Sequence, residues 1–255
     1  PFTYSLVNYN EAEKVVADFK AIAIKSENIY QKLPFERRDA FYQLVLFPVK
    51  ASAIVNELYL AAGKNDLYSR QERASTNDMG DQVRLLFQTD TSLMGYFNRT
   101  FANGKWSHFM DQSHLGYTNW ADPPSNSLRA IKLKRVEVLP VAEMGVSIEG
   151  SEAVWPGDTN SPVLPEFDVF NSQTHYIDVF NKGAGTFDFT FTTDKAWINA
   201  SRTKGPFGKD ERLLITIDRT KLPEGRNRGS IKITGTGKNV NVGITAFKPE
   251  EITAE

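Results

Sequence analysis

The spacing of apolar residues changes partway along this chain, and that change limits the fold more than any other feature. From residue 10 to about 103, apolar side chains recur every three or four positions. The series are Val15, Phe19, Ile22, Ile29 and Tyr30; then Phe41, Leu44, Val45, Pro48, Ala51, Val55, Leu58, Tyr59 and Ala62; then Val83, Leu86, Phe87, Leu93, Met94, Phe97 and Phe101. That interval marks one face of an α-helix. From about residue 131 the interval falls to two, as in Phe187, Phe189 and Phe191, in Leu213, Ile215 and Ile217, in Ile231 and Ile233, and in Val240, Val242 and Ile244. Period two points alternate side chains to opposite faces of a strand. Strands without intervening helices argue for an antiparallel sandwich. The reading is an α+β chain of two domains: an antiparallel helical bundle over 1–130 and an antiparallel, Ig-like β-sandwich over 131–255. At 255 residues the chain has room for both.

Local signals set the expected boundaries. Asn10 and Glu13 form a capping-box pair ahead of the first helix, which breaks at Leu33-Pro34. Pro48 lies inside the second helical series and predicts a kink. Gly63 with Asn65 and Asp66 reads as a stop and a new start. In the second half, strand-length runs fall near 136–141, 144–149 and 174–180. Gly183-Ala184-Gly185 and Gly235-Thr236-Gly237 read as hairpin turns, since no helix follows either for a phosphate-binding loop. The chain opens Pro1-Phe2-Thr3 with no basic or apolar leader, so a processed chain, or one cut from a longer protein, is expected.

Composition removes several classes of function. The net charge is −1 and neither half is a basic lobe, so nucleic acid and anionic membranes are not expected partners. There are no cysteines, hence no disulfide frame, thiolate nucleophile or cysteine-based metal site. No run of about eighteen apolar residues is present. No Gly-x-Ser-x-Gly elbow occurs either.

The stretch 104–130, between the two periods, is unusually rich in large side chains for a loop. It carries two of the three histidines and two of the four tryptophans. Its candidate residues are Trp106, His108, Asp111, Gln112, His114, Tyr117 and Trp120. One reading is a sugar-contacting wall, with ring faces stacking on pyranoses while His, Asp and Gln bond the hydroxyls. The other is a plug whose big side chains are buried against Phe97, Phe101 and the start of the sandwich. The second is the expectation taken here, with Trp106→Ala costing about 3–5 kcal/mol as a fully buried ring. His108, Asp111 and His114, three apart, would share one side of a helix, but Gly104 and Gly116 argue against a helix and no metal or other cofactor is expected. In the sandwich, Trp197 reads as core. Trp155, Phe170, Tyr176 and Phe207 read as scattered surface rings that form no row.

Trp106-Ser107-His108-Phe109-Met110-Asp111-Gln112-Ser113-His114-Leu115-Gly116-Tyr117, followed by Trp120 and Pro123-Pro124, resembles the Trp-x-His-x-Met-Asp-Gln-x-His-x-Gly-Tyr signature of glycoside hydrolase family 115. Tyr42-Gln43-Leu44-Val45-Leu46-Phe47-Pro48-Val49-Lys50-Ala51-Ser52-Ala53, running on to Asn56-Glu57-Leu58-Tyr59, is similar to the preceding helix of that family. Gln173-Thr174-His175-Tyr176-Ile177-Asp178-Val179-Phe180-Asn181 resembles its C-terminal β-domain. The stretches at Trp197-Ile198-Asn199-Ala200-Ser201 and at 222–231 resemble small Ig-like modules of carbohydrate-active enzymes. The resemblance implies a parent xylan α-glucuronidase that removes (4-O-methyl)glucuronic acid from glucuronoxylan on a (β/α)8 barrel N-terminal to the helical domain. No catalytic residue is carried over, because no position here matches the barrel. The resemblance further implies a scaffold role, the catalytic barrel of the same parent chain and xylan-derived glycan as partners, a homodimeric parent, and a periplasmic or secreted location. A free-standing carbohydrate-binding protein is the alternative.

Overall fold

The computed structural model describes residues 4–250, and the chain forms two compact units. The first holds residues 4–6, Asn10–Asp66 and Thr76–Arg135; the second holds Val7–Tyr9, Leu67–Ser75 and 136–250. The fold is α+β, helical in its N-terminal part and a β-sandwich in its C-terminal part.

The helical unit is built on α1 (Glu11–Lys32), α2 (Phe35–Phe41), α3 (Phe47–Arg70) and α4 (Thr76–Arg99). Three ion pairs show how α1 meets α3: Glu13 with Lys64, Lys20 with Glu57, and Glu27 with Lys50. The partners rise by seven residues on one helix and fall by seven on the other, so the two are antiparallel. Such exposed pairs contribute little energy individually and chiefly fix register. Phe47 on α3 meets Phe97 on α4 at 4.3 Å, while Gln82 bonds Glu57, so that pair is antiparallel as well. Tyr42, Leu46, Phe47, Phe97 and Phe101 form one core, and Leu58, Ala61, Val83, Leu86 and Leu115 another.

Several local expectations need correction. Asn10 adopts a left-handed backbone and makes no side-chain cap bond; Glu11 instead accepts from the backbone N–H of Ser5. At Pro48, where a kink was expected, the helix continues without interruption and Tyr42–Leu46 winds as a single π-turn just before it. The wider turn takes up the hydrogen bond and space that proline denies a regular helix. Gly63, Asn65 and Asp66 neither stop nor start a helix, because α3 runs through them to Arg70. Asn65, 1% exposed, is turned inward, donating to the carbonyls of Thr76 and Lys134 and accepting from Lys134 N–H. Ile22 and Ile29 are exposed, so the buried stripe of α1 is Ala12, Val16 and Ser26. Continuous helix over Phe35–Arg70 includes an 18-residue window of mean hydropathy 1.4 that is 28% buried. By length and composition it could cross a membrane, which the sequence reading did not anticipate; here Lys50, Glu57 and Lys64 tie it to α1.

The β unit packs two sheets on one core. The strands are β1 (Met144–Ile148), β2 (Phe167–Asp168), β3 (His175–Asn181), β4 (Phe187–Thr193), β5 (Ile198–Ala200), β6 (Lys204–Phe207), β7 (Asp210–Ile217), β8 (Gly225–Gly235) and β9 (Lys238–Lys248). One sheet has the order β1-β3-β7-β5 and the other β2-β9-β8-β4-β6. Among the strands just named, the pairings are antiparallel except β2 with β9. The alternating residues of β4, β7, β8 and β9 supply the core with Trp155, Phe167 and Trp197. Gly235-Thr236-Gly237 is the predicted hairpin, with positive φ at Thr236 and Gly237. Gly183-Ala184-Gly185 is not: β3 and β4 lie in different sheets, so this turn crosses between layers. The run 136–141 forms only a bridge from Leu139 to Gly183. Trp155 and Tyr176 are buried rather than surface rings, Phe170 is exposed, and the Phe207 side chain lies outside the described residues.

Two early segments complete this unit. Tyr9 N–H donates to Glu149, and the Val7 carbonyl accepts from Gly150 N–H and the Tyr176 hydroxyl. Arg73, 2% exposed, lies between the Tyr68 and Phe180 rings at 4.1 and 4.2 Å. It donates to Gln71, Ser147, Asp178 and Asp210.

Candidate functional site

The loop 104–130 stays in register because buried polar side chains replace the backbone partners that a helix or sheet would supply. Asn98 of α4 accepts from Met110 N–H. Asn126 accepts from the N–H groups of both His114 and Leu115. Leu115 is fully buried among Leu58, Val83 and Leu86. Gly116 follows with φ +98, and a Cβ there would come within 2.6 Å of Ser127 Oγ, so no larger residue fits.

His114 is the centre of this arrangement. Its Nε2 lies 2.9 and 3.0 Å from the two carboxylate oxygens of Asp90, which is 0% exposed. The carboxylate can only accept, so Nε2 carries the hydrogen. The hydrogen bond it donates to Asp90 is the main cause holding the His114 pKa above its usual value, against a smaller opposing effect of burial. Nδ1 has only long contacts, 3.4 Å to Asn126 Nδ2 and 3.5 Å to the Gln112 carbonyl. With Nε2 committed to a buried acid, the ring ties the loop to α4.

Beside it opens a cleft of about 1020 Å³, lined by α1, α3, α4 and the loop. Phe19, Leu44, Phe47, Pro48, Val55, Met94 and Phe109 give it apolar walls, and Gln43, Ser52, Asn56, Gln112, Ser113, His114 and Tyr117 give it hydrogen-bonding groups. Asp122 orients two of these, accepting from Gln112 Nε2 at 3.2 Å and from the Tyr117 hydroxyl. The bond to Asp122 raises the Tyr117 pKa, so the phenol keeps its proton at neutral pH.

Of the seven residues singled out in the sequence, Gln112, His114 and Tyr117 come together on the cleft. Trp106, His108, Asp111 and Trp120 are not among its described lining residues. His108 pairs with Asp111 on the surface, and among the described residues no cluster of His, Asp or Glu is placed to hold a metal ion. The expectation that the loop's large side chains are buried is corrected: Trp120 is 94% exposed, and Phe109 is exposed too. Trp106 is half-buried, edge-on to Phe109 at 5.3 Å and packed on the cluster containing Phe101. Trp106→Ala is therefore expected to cost about 1–2 kcal/mol, below the figure for a fully buried ring. Thermal melts of the two proteins measure it, and a loss above about 3 kcal/mol would restore the plug.

The residues missed from sequence are Asp90, Asn98, Asp122 and Asn126. Asp90 carried a signal. It follows Val83 and Leu86 on the buried stripe of α4, where an acid has no place without a partner.

No protein-family model matches the chain, so the likeness to family 115 is carried by the quoted residues alone. No curated protein matches it either. Solved structures do, across less than half of this chain. The Bacteroides ovatus GH5 xyloglucanase in complex with a XXXG heptasaccharide is 14% identical at a TM-score of 0.28, over 43% of this chain and 20% of the enzyme. The periplasmic chaperone SfaE is 8% identical at 0.31, over 43% of this chain and 60% of the chaperone. The FixG-related protein from Vibrio parahaemolyticus is 15% identical at 0.28, over 42% of this chain and 95% of that one. The chain thus spans a fifth of the xyloglucanase and three fifths of SfaE. At these scores the likenesses bear on neither substrate nor partner.

Proposed function

We propose that this chain is the accessory C-terminal region of a xylan α-glucuronidase of the family 115 type. In this reading it is a scaffold for a catalytic barrel outside the sequence, acting in the periplasm or outside the cell. Its partners are that barrel, xylan-derived glycan through the parent, and a second parent copy. One observation carries the reading. The loop bearing the quoted signature is anchored residue by residue on the bundle, yet its best-positioned histidine has Nε2 locked to Asp90. Among the described cleft residues there is no carboxylate pair of the kind glycoside cleavage uses. The site supports binding and positioning rather than bond breaking.

The purified chain is expected to release no uronic acid from glucuronoxylan or aldouronic acids. Extension with the reading frame upstream of Pro1 is expected to add a (β/α)8 barrel and uronate release. Turnover by the chain alone, lost in His114→Ala, would overturn the accessory reading.

A further inference from the structure

We infer that the cleft of the helical unit is a binding site for a neutral pyranose chain, distinct from any site for a uronic acid. The lining carries the argument and does not need the enzyme assignment above. Its apolar walls are ring and aliphatic faces suited to the C–H faces of sugars. Its polar groups are side-chain amides and hydroxyls, which both donate and accept, as a polyol requires.

Charge decides against the alternatives. Among the described lining residues no Asp, Glu, Lys or Arg appears, and the one cationic candidate, His114, is already matched by fully buried Asp90. An anionic ligand would find no free positive partner, and a basic one no free carboxylate. A neutral, hydroxyl-rich ligand fits. Gln112 and Tyr117 are held in place by Asp122 before a ligand arrives, which lowers the ordering cost of binding. The apolar excess of the Phe35–Arg70 helix, only 28% buried over its most hydrophobic window, is accounted for in part by the wall it gives this cleft.

Titration calorimetry of the whole chain with xylohexaose, cellohexaose and an aldouronic acid is the test. The expected result is binding of a neutral hexasaccharide with a Kd of about 0.1–1 mM, unchanged between low and high salt. Phe109→Ala and Gln112→Ala should each weaken it about ten-fold, and Tyr117→Phe by less. Trp120→Ala, which removes an exposed ring of the same loop outside the cleft, should leave it unchanged. Far-UV circular dichroism confirms that each variant is folded, and Tyr117→Phe keeps the packing if the others fail. Binding of the aldouronic acid alone, weakened by salt, overturns the inference. So does no binding of any sugar at about 10 mM, or a cleft closed by self-association in sedimentation. Neutral-sugar binding by a chain that lacks an upstream barrel would uphold this site and remove the accessory reading, so the two fail separately.

Discussion

Asp178→Ala is expected to destabilise the β unit by about 3–5 kcal/mol. Asp178 is 5% exposed and accepts from Arg212 Nε at 2.7 Å, Arg212 Nη2 at 2.9 Å and Arg73 Nη2 at 3.3 Å. Burial pushes its carboxyl pKa up, but the Arg212 hydrogen bonds and both guanidinium charges outweigh that and hold it down. Truncation leaves Arg73 charged and buried between two rings, with part-exposed Asp210 as its remaining acid. Arg212→Ala should cost less, because Arg212 is a quarter exposed and water can take its place. A carboxyl held down in the folded state contributes stability above its unfolded pKa and loses it as pH falls through the folded value. The parent chain should therefore lose more stability in acid than Asp178→Asn, which keeps only the losses of other held-down carboxyls such as Glu149. Urea unfolding across pH measures both effects, and a variant that unfolds like the parent would show that the network carries no stability.

His114→Ala is expected to cost the helical unit a comparable amount, about 3–5 kcal/mol. It removes the one donor to a carboxylate with 0% exposure. The double variant with Asp90→Asn should recover much of the loss, since what harms the single variant is the stranded charge. The pH dependence has the opposite sign to that of Asp178. A histidine whose folded pKa is raised contributes fully below its unfolded value, and that contribution fades as pH rises through the folded one. The loop should loosen on going from about pH 6 to about pH 9, read as lower amide protection at Leu115 and Gly116 after correction for the intrinsic exchange rate at each pH. Equal protection at both would show that Asp90 needs only a neutral donor.

The change of hydrophobic period made both halves of the fold readable, because helix and strand faces are local properties of neighbouring residues. The strand cores of β4, β7, β8 and β9 and the break at Leu33-Pro34 follow directly. What could not be read is what depends on distant partners. Arg73 sits in the polar run Gln71-Glu72-Arg73 and looks like a solvated turn, yet its acid lies 105 residues onward. Gly63 with Asn65 looked like a helix end because local propensity favours one. The fold uses the Asn65 side chain to seal the backbone of Thr76 and Lys134 instead. In the candidate site, the sequence singled out Gln112, His114 and Tyr117, which share the cleft, but not the exposure of Trp120, since aromatic content does not say which way a ring faces.

The β unit draws its described residues from three separated parts of the chain, Val7–Tyr9, Leu67–Ser75 and 136–250. No single scission therefore divides this protein into its parts. A fragment starting near residue 131 would lack Arg73 and the strap that Tyr9 ties to Glu149, leaving Asp178 and Glu149 short of donors in its interior. During synthesis, residues 7–9 and 67–75 emerge long before the strands that receive them. Those two segments have their partners only once Ser147 to Asp210 have been made, so the interior of the sandwich is completed by residues far apart in the order of synthesis.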